Sequence, residues 1–276
     1  MKGYLATISL ATLMVIAPGL LNAGDPPKGT PTNPNDLSLE IAALQTLYQF
    51  RFTAVQMEAM RKIASETAQT NEARPAPKAS EGYRKKLVEL RAALVEAKDE
   101  EAIGKIQEEV DKLRESEKPE IDDGFEISDA ARTQAPDLLK KLSARQLNGF
   151  LANYGNDFPD PLERIRDALD RVRKLEGKDW EKFRDEVSED VGRLVSGLDA
   201  TNSTETGNQV VQLLIATRAL KDDEFKTQRT SLQKKAEAIV GNLGPFDVMR
   251  HVCEYSLAEL LSNPRLAAVL DARLKK

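Results

Sequence analysis

The residues best suited to nucleophilic chemistry are His251 and Cys253, two positions apart in DVMRHVCEYSLAELL. A cysteine becomes a strong nucleophile when a neighbouring histidine takes its proton. On a helix, residues two apart are separated by about 200°, so these side chains point away from each other. Cys253 falls on the apolar side with Met249 and Leu257, which predicts a buried, inert thiol. His251 lies off that side and is expected in solvent.

Few other residues could carry catalysis or bind a metal. The chain has one histidine and one cysteine, too few for a zinc site. It contains no glycine-rich phosphate loop, nucleophile elbow or metalloprotease helix motif. The adjacent acids Asp122–Asp123 and Asp222–Asp223 could act as acid and base, but such pairs usually cap helices or face solvent. We therefore predict no catalytic, cofactor-binding or metal-ligating residue, with a carboxylate-based hydrolase as the alternative.

Charge and composition narrow the class of protein further. The chain carries 40 Lys and Arg against 45 Asp and Glu, a net charge of -5. Nucleic-acid binding requires a basic face, and no run of cations supplies one. Charged residues make up 31% and aromatic residues 5%, which favours solvated helices over a β-sandwich. A single cysteine excludes an internal disulfide, so packing must supply the stability.

The first 23 residues have the pattern of a signal peptide. One cation, Lys2, precedes an apolar run from Tyr4 to Ala17, and small residues surround Ala23. The run is shorter than the roughly 20 residues that cross a bilayer, which predicts cleavage after Ala23 and no membrane span in the mature chain. Residues 24–36 are rich in Pro, Gly and Asn and are predicted to form a disordered linker. The protein is therefore expected to be exported, to the periplasm or beyond.

Helical spacing of apolar residues predicts an all-α fold, with an N-terminal helical segment over 37–118. Within it, two heptad seams begin at Tyr83 and Ile103. An unbroken helix would place these seams on opposite faces, so residues 81–116 form either a hairpin that turns near Lys98 and Asp99 or one long helix. The spacing slightly favours the turn.

An acidic connector, 119–136, is predicted to lead to a C-terminal helical bundle at 137–276. The connector lacks carboxylates at the first and third positions of a calcium loop, so a solvated linker is expected. In the bundle, Gly241 should end one helix, Trp180 should pack between helices, and 210–220 should be the most buried helix. Helix starts are predicted at Asp160–Pro161, Asp179 and Asn263–Pro264.

Two hexapeptides share one pattern: FTAVQM at 52–57 and LSARQL at 142–147. If Thr53 and Ser143 are N-caps, then Gln56 and Gln146 occupy the third helical position and can bond back to the cap amide. The flanking apolar residues, Phe52 with Met57 and Leu142 with Leu147, then form hydrophobic staples. The pattern therefore predicts two capping boxes.

The same hexapeptides resemble the Leu-Thr-x-x-Gln motif that occurs in pairs in periplasmic chaperones of the Spy and CpxP type. That resemblance implies a curved helical dimer that shields apolar clients in the cell envelope. The segments YRKKLVELRAALVEAKDEE, PEIDDGFEISDAARTQAP and LLSNPRLAAVLDARL, in this order, are also similar to uncharacterised exported helical proteins of planctomycete bacteria. This second resemblance covers more of the chain and implies no activity.

Together these features predict an exported, non-enzymatic protein that binds other envelope or secreted proteins through apolar grooves, in a chaperone-like or scaffold-like manner. A homodimer is left open. One alternative is an enzyme with converging carboxylates from separate helices. Another is a structural spacer, for which a long rigid projection of residues 81–116 would be the distinguishing feature.

Overall fold

The computed structural model describes residues 31–70, 74–155 and 158–275, and these form an all-helical protein. The predicted leader and most of the predicted linker lie outside the described residues. The α-helices of the described residues are α1 (Pro34–Gln49), α2 (Ala54–Thr67), α3 (Glu81–Glu96), α4 (Glu100–Glu117), α5 (Asp129–Leu139), α6 (Ala144–Ala152), α7 (Pro161–Arg171), α8 (Gly177–Ser196), α9 (Ala200–Arg218), α10 (Asp222–Val240), α11 (Pro245–Ser262) and α12 (Leu266–Leu274). A single 3₁₀ turn, Val172–Lys174, follows α7.

The chain divides into two compact units whose limits differ from those expected from the sequence. Unit 1 contains the described residues up to Asn153 together with those from Leu257 onward, and unit 2 contains Tyr154–Ser256. The end of α11 and all of α12 therefore belong with the N-terminal helices, not with the bundle predicted over 137–276. Helix α1 also begins at Pro34, before the expected end of the linker, and Asn35 is already buried.

Residues 81–116 form a hairpin, as the spacing slightly favoured. Helix α3 ends at Glu96, its C-cap Ala97 has the left-handed φ of 50°, and Asp99 caps α4 by accepting from the Ala102 amide. Helix α3 packs against both α1 and α4, and its seam residues Tyr83, Leu87, Leu90 and Leu94 are buried. The long rigid projection expected of a spacer is therefore absent from this part of the chain.

The acidic connector is more ordered than a solvated linker. Asp123 is buried and accepts a 2.5 Å hydrogen bond from the Ser38 hydroxyl of α1. The Arg74 guanidinium donates to the carbonyls of Asp122 and Gly124. Helix α5 begins inside the predicted connector, capped by Ser128. These contacts explain the difference, because residues of the same unit, Ser38 and Arg74, satisfy polar groups that the sequence alone would leave to water.

A buried ion network joins the C-terminal segment to the N-terminal helices of unit 1. The Glu40 carboxylate of α1 is fully buried, and it accepts from Arg91 of α3 at 2.5 Å and from Arg265 at 2.6 Å. Next to it, the Asn263 amide donates to the Leu39 carbonyl at 2.9 Å. Asn263 also accepts from the Arg265 amide in the turn before α12, which begins at Leu266 and not at the predicted Asn263–Pro264.

Unit 2 is built on the close pairing of α8 and α9. A methyl group placed on Gly192 of α8 would lie 2.5 Å from the Ser203 carbonyl oxygen of α9, so only glycine permits this approach. Trp180 is half-buried against the core of this unit, as predicted. The fully or largely buried core residues are Ile165, Ala168, Leu169, Val172, Phe183, Val187, Val191, Val210, Leu213, Leu214, Phe225, Leu232 and Ala236.

Local signals placed two helix ends in unit 2 correctly. Asp160 caps α7 with Pro161 at its first position, and Gly241 ends α10. Two predictions were wrong. Helix α8 begins at Gly177, before Asp179, and residues 210–220 are buried on one face only, with Ile215 44% exposed.

Candidate functional site

The two hexapeptides form the capping boxes that their pattern predicts. Thr53 accepts from the Gln56 amide at 3.3 Å, and the Gln56 carboxamide oxygen accepts from the Thr53 amide at 2.9 Å. Ser143 and Gln146 repeat this exchange at 3.3 and 3.1 Å. Each box satisfies two amides that helix formation would otherwise leave without a partner, and such a cap contributes about 1 kcal/mol.

The structure also joins the two boxes to each other, which the sequence did not predict. The Gln146 side-chain Nε2 donates to the Gln56 side-chain Oε1 at 2.9 Å, and the Gln56 Nε2 donates to the Gln146 Oε1 at 3.3 Å. Each nitrogen also donates to a carbonyl two residues before the opposite cap: Gln56 to Lys141 at 3.2 Å and Gln146 to Arg51 at 3.3 Å. The starts of α2 and α6 are therefore docked in a nearly two-fold arrangement.

This exchange explains why both boxes use glutamine. Glutamate would serve equally well within one box, because only the side-chain oxygen bonds to the cap amide. The second set of bonds requires a donor, and glutamate has none when ionised. The glutamine oxygen therefore caps its own helix while the nitrogen fastens the other helix.

The apolar residues of the hexapeptides belong to the core of unit 1. Phe52, Met57 and Leu142 are between 6% and 8% exposed. Beside them, the Phe50 and Phe150 rings stack with centroids 3.9 Å apart. The motif is therefore an internal joint, and these three apolar residues are not available at the surface to bind a client, whereas Val55 of the first hexapeptide is 81% exposed.

His251 and Cys253 do not form a catalytic pair. Cys253 is buried, and burial, with a smaller effect of Glu254, raises the pKa of the thiol to about 12. The thiolate needed for nucleophilic attack is therefore scarce at neutral pH. His251 was expected in solvent, but it is half-buried. Its Nδ1 lies 2.9 Å from the Leu194 carbonyl and its ring lies against Gly197. Any side chain at Gly197 would meet this ring.

The predicted carboxylate pairs are also engaged in structural contacts. Asp222 pairs with Arg173, which keeps the pKa of that exposed carboxyl below its usual value. A small cleft between α7 and α10 is lined by Arg166, Asp170 and Arg229, among others, and its volume of about 20 Å³ suits a water molecule. Its one carboxylate, Asp170, pairs with Arg229 at 2.8 Å. Within the described residues, no group of three or more His, Cys, Asp or Glu side chains could hold a metal ion.

Comparison with known proteins gives no relative. No family model, curated protein or solved structure matches this chain. The two resemblances noted in the sequence therefore have no support from these comparisons. Across the part of the chain that the structure describes, no helix is both long enough and apolar enough to span a membrane.

The feature best suited to binding is an exposed apolar tip at the turn from α10 to α11. Phe246 is 83% exposed although its neighbours Val240, Leu243 and Met249 are half-buried. Pro245 begins α11, and the Asp247 carboxylate accepts from the Gly244 amide at 3.2 Å, which fixes the backbone below the ring. Phe246 was not predicted from the sequence. The signal for it was an aromatic residue directly after Gly244–Pro245 at a helix start, where polar residues are more usual.

Proposed function

We propose that this chain is an exported, non-enzymatic protein that binds another protein of the cell envelope and acts as a scaffold. The observation that carries the proposal is Phe246, an aromatic residue at the start of α11 that is 83% exposed. Aromatic side chains of this kind contribute most to binding when they enter a pocket on a partner. Export is supported by the N-terminal pattern of residues 1–23.

The distribution of exposed apolar side chains favours a scaffold over a general chaperone. The large apolar side chains that are exposed in the described residues lie on different helices: Val55 on α2, Ile215 on α9 and Phe246 on α11. Unfolded clients are held by contiguous apolar patches of several hundred Å². A single protruding ring instead suits one specific partner.

The proposal is tested by affinity capture from the envelope of the source cells, with the wild-type chain, Phe246→Ser and Val55→Ser as baits. Val55 is 81% exposed on a different helix, so its variant is a matched control. We expect the wild type and Val55→Ser to recover the same stoichiometric partner and Phe246→Ser to recover at least about tenfold less, as for a hot-spot residue. Equal recovery by all three baits would contradict the proposal.

A further inference from the structure

The residues on the N-terminal side of Phe246 carry no charge. From Ala238 near the end of α10 to Phe246 in α11, the sequence AIVGNLGPF contains no Asp, Glu, Lys or Arg, although these make up 31% of the chain. We call residues 238–246 the α10–α11 tip. Ala238, Gly241 and Asn242 of the tip are exposed, as Phe246 is. The centre of a protein interface is depleted of charge in the same way.

Two lysines lie one helical turn before the tip, and both are exposed: Lys234 and Lys235 of α10. Among the described residues, neither ammonium group has a carboxylate within ion-pair distance. The only acid three or four positions from either lysine is Glu237, which pairs with Arg166 of α7 at 3.2 Å. Both ammonium groups are therefore available to a partner.

The charges on the other side of the tip neutralise each other. Asp247 follows Phe246 directly and pairs with Arg250 at 3.3 Å. The tip is therefore bordered by two positive charges without a counter-ion, in a chain whose net charge is -5. Complementary charge guides the encounter of two proteins, so this border favours a partner that is negative at the same place.

We propose that the partner receives Phe246 in an apolar pocket bordered by Asp or Glu side chains, and that these carboxylates pair with Lys234 and Lys235. This inference rests on the proposed function, because it describes the surface that Phe246 enters. A standard interface covers about 800 Å² of each partner, a disc of about 16 Å radius. Lys235 lies about 9 Å along the helix axis from Gly241, at 1.5 Å per residue. An interface centred on the tip therefore reaches both lysines.

Carbodiimide crosslinking tests the pairing directly. The reagent activates a carboxylate, a lysine amine attacks it to form an amide bond, and a urea is released, so only groups in contact are joined. The wild-type chain is mixed with the solubilised envelope fraction of the source cells, and mass spectrometry locates the joined residues. We expect Lys234 or Lys235 to be joined to an Asp or Glu of the protein whose capture Phe246→Ser abolishes.

Charge reversal gives a second measurement with a matched control. The variant Lys234→Glu with Lys235→Glu is compared with Lys174→Glu with Lys178→Glu, which changes the net charge equally. Lys174 and Lys178 are exposed and lie at the end of unit 2 where α10 starts, away from the tip. Circular dichroism verifies that both variants keep their helix content. Association with the crosslinked partner is then followed by surface plasmon resonance.

We expect the variant at 234 and 235 to associate about tenfold more slowly than the control at about 0.01 M salt. The difference should vanish at about 1 M salt, where the Debye length is about 3 Å. Equal association rates, or a partner captured through Phe246 with no carboxylate joined to either lysine, would overturn this inference and leave the proposed function standing. Equal capture by the wild type and Phe246→Ser would overturn both.

Discussion

Glutamine at the third helical position has two separate tasks in this protein. Its oxygen caps its own helix and its nitrogen holds the opposite helix, as the contacts of Gln56 and Gln146 show. The capping role was predictable from the sequence because it depends on residues three apart. The pairing was not, since it joins residues 90 positions apart and no local pattern encodes that distance.

Replacing Gln146 with Glu should destabilise the protein although the capping box is kept. The variant loses the donors to Gln56 and Arg51, and it faces their oxygens with a carboxylate. A buried acceptor left without a donor costs about 1–3 kcal/mol. Urea unfolding measures the change, with Gln228→Glu on the exposed face of α10 as the control. An unchanged midpoint for Gln146→Glu would show that the reciprocal bonds contribute no stability.

The Cys253 thiol should lower the stability of the protein at alkaline pH. Its pKa is raised to about 12 in the folded chain from an ordinary 9.0, so above pH 9 the unfolded state loses this proton first. The free energy of unfolding should then fall by up to about 1.4 kcal/mol per pH unit between pH 9 and 12. The Cys253→Ala variant should not show this fall in the free energy of unfolding. Equal pH slopes in urea titrations of both proteins would contradict the assignment.

At the scale of helices, close approach of α8 and α9 requires glycine at position 192. Gly192→Ala would place a methyl group 2.5 Å from the Ser203 carbonyl, and relieving such an overlap typically costs about 1–3 kcal/mol. Gly104→Ala in α4 is the control, since nothing lies within 4 Å of the added methyl group. It should stabilise its helix by up to about 1 kcal/mol. Thermal unfolding measures both changes. Midpoints of Gly192→Ala and Gly104→Ala that move in the same direction from the wild-type value would be inconsistent with this packing.

The predicted helix boundaries also show where sequence patterns stop being informative. Asp160–Pro161 and Gly241 were placed correctly because caps and stops depend on the local backbone. The apolar run at 210–220 predicted burial on all sides, whereas Ile215 is exposed. Which side of an apolar helix is covered depends on neighbouring helices, and these are set by contacts distant in sequence.

At the scale of the whole chain, composition was a poor guide to the limits of the compact units. The run of acidic residues at 119–136 predicted a connector between two helical parts, but unit 1 continues through it to Asn153 and resumes at Leu257. The return depends on Glu40 of α1, which binds Arg91 and Arg265 in the core of unit 1. No periodicity in the sequence indicates such a contact across 225 positions.

Glu40→Gln should destabilise unit 1 more than any surface substitution. It leaves two arginines beside a neutral amide, and removing one partner of a buried ion network costs about 3–5 kcal/mol. The exposed pair Glu108–Lys112 supplies the control: Glu108→Gln should change stability by less than about 1 kcal/mol. Guanidinium unfolding compares the two. A small effect of Glu40→Gln would mean that the network does not hold the C-terminal segment in place.

The most direct test of the proposed scaffold function is site-specific photocrosslinking in living source cells, with a photoreactive amino acid at position 246. The chain should form one discrete adduct with an envelope protein, and the same amino acid at position 55 should not form it. The absence of any adduct at 246, or a broad smear of unrelated proteins at both positions, would contradict a specific scaffold that binds through Phe246.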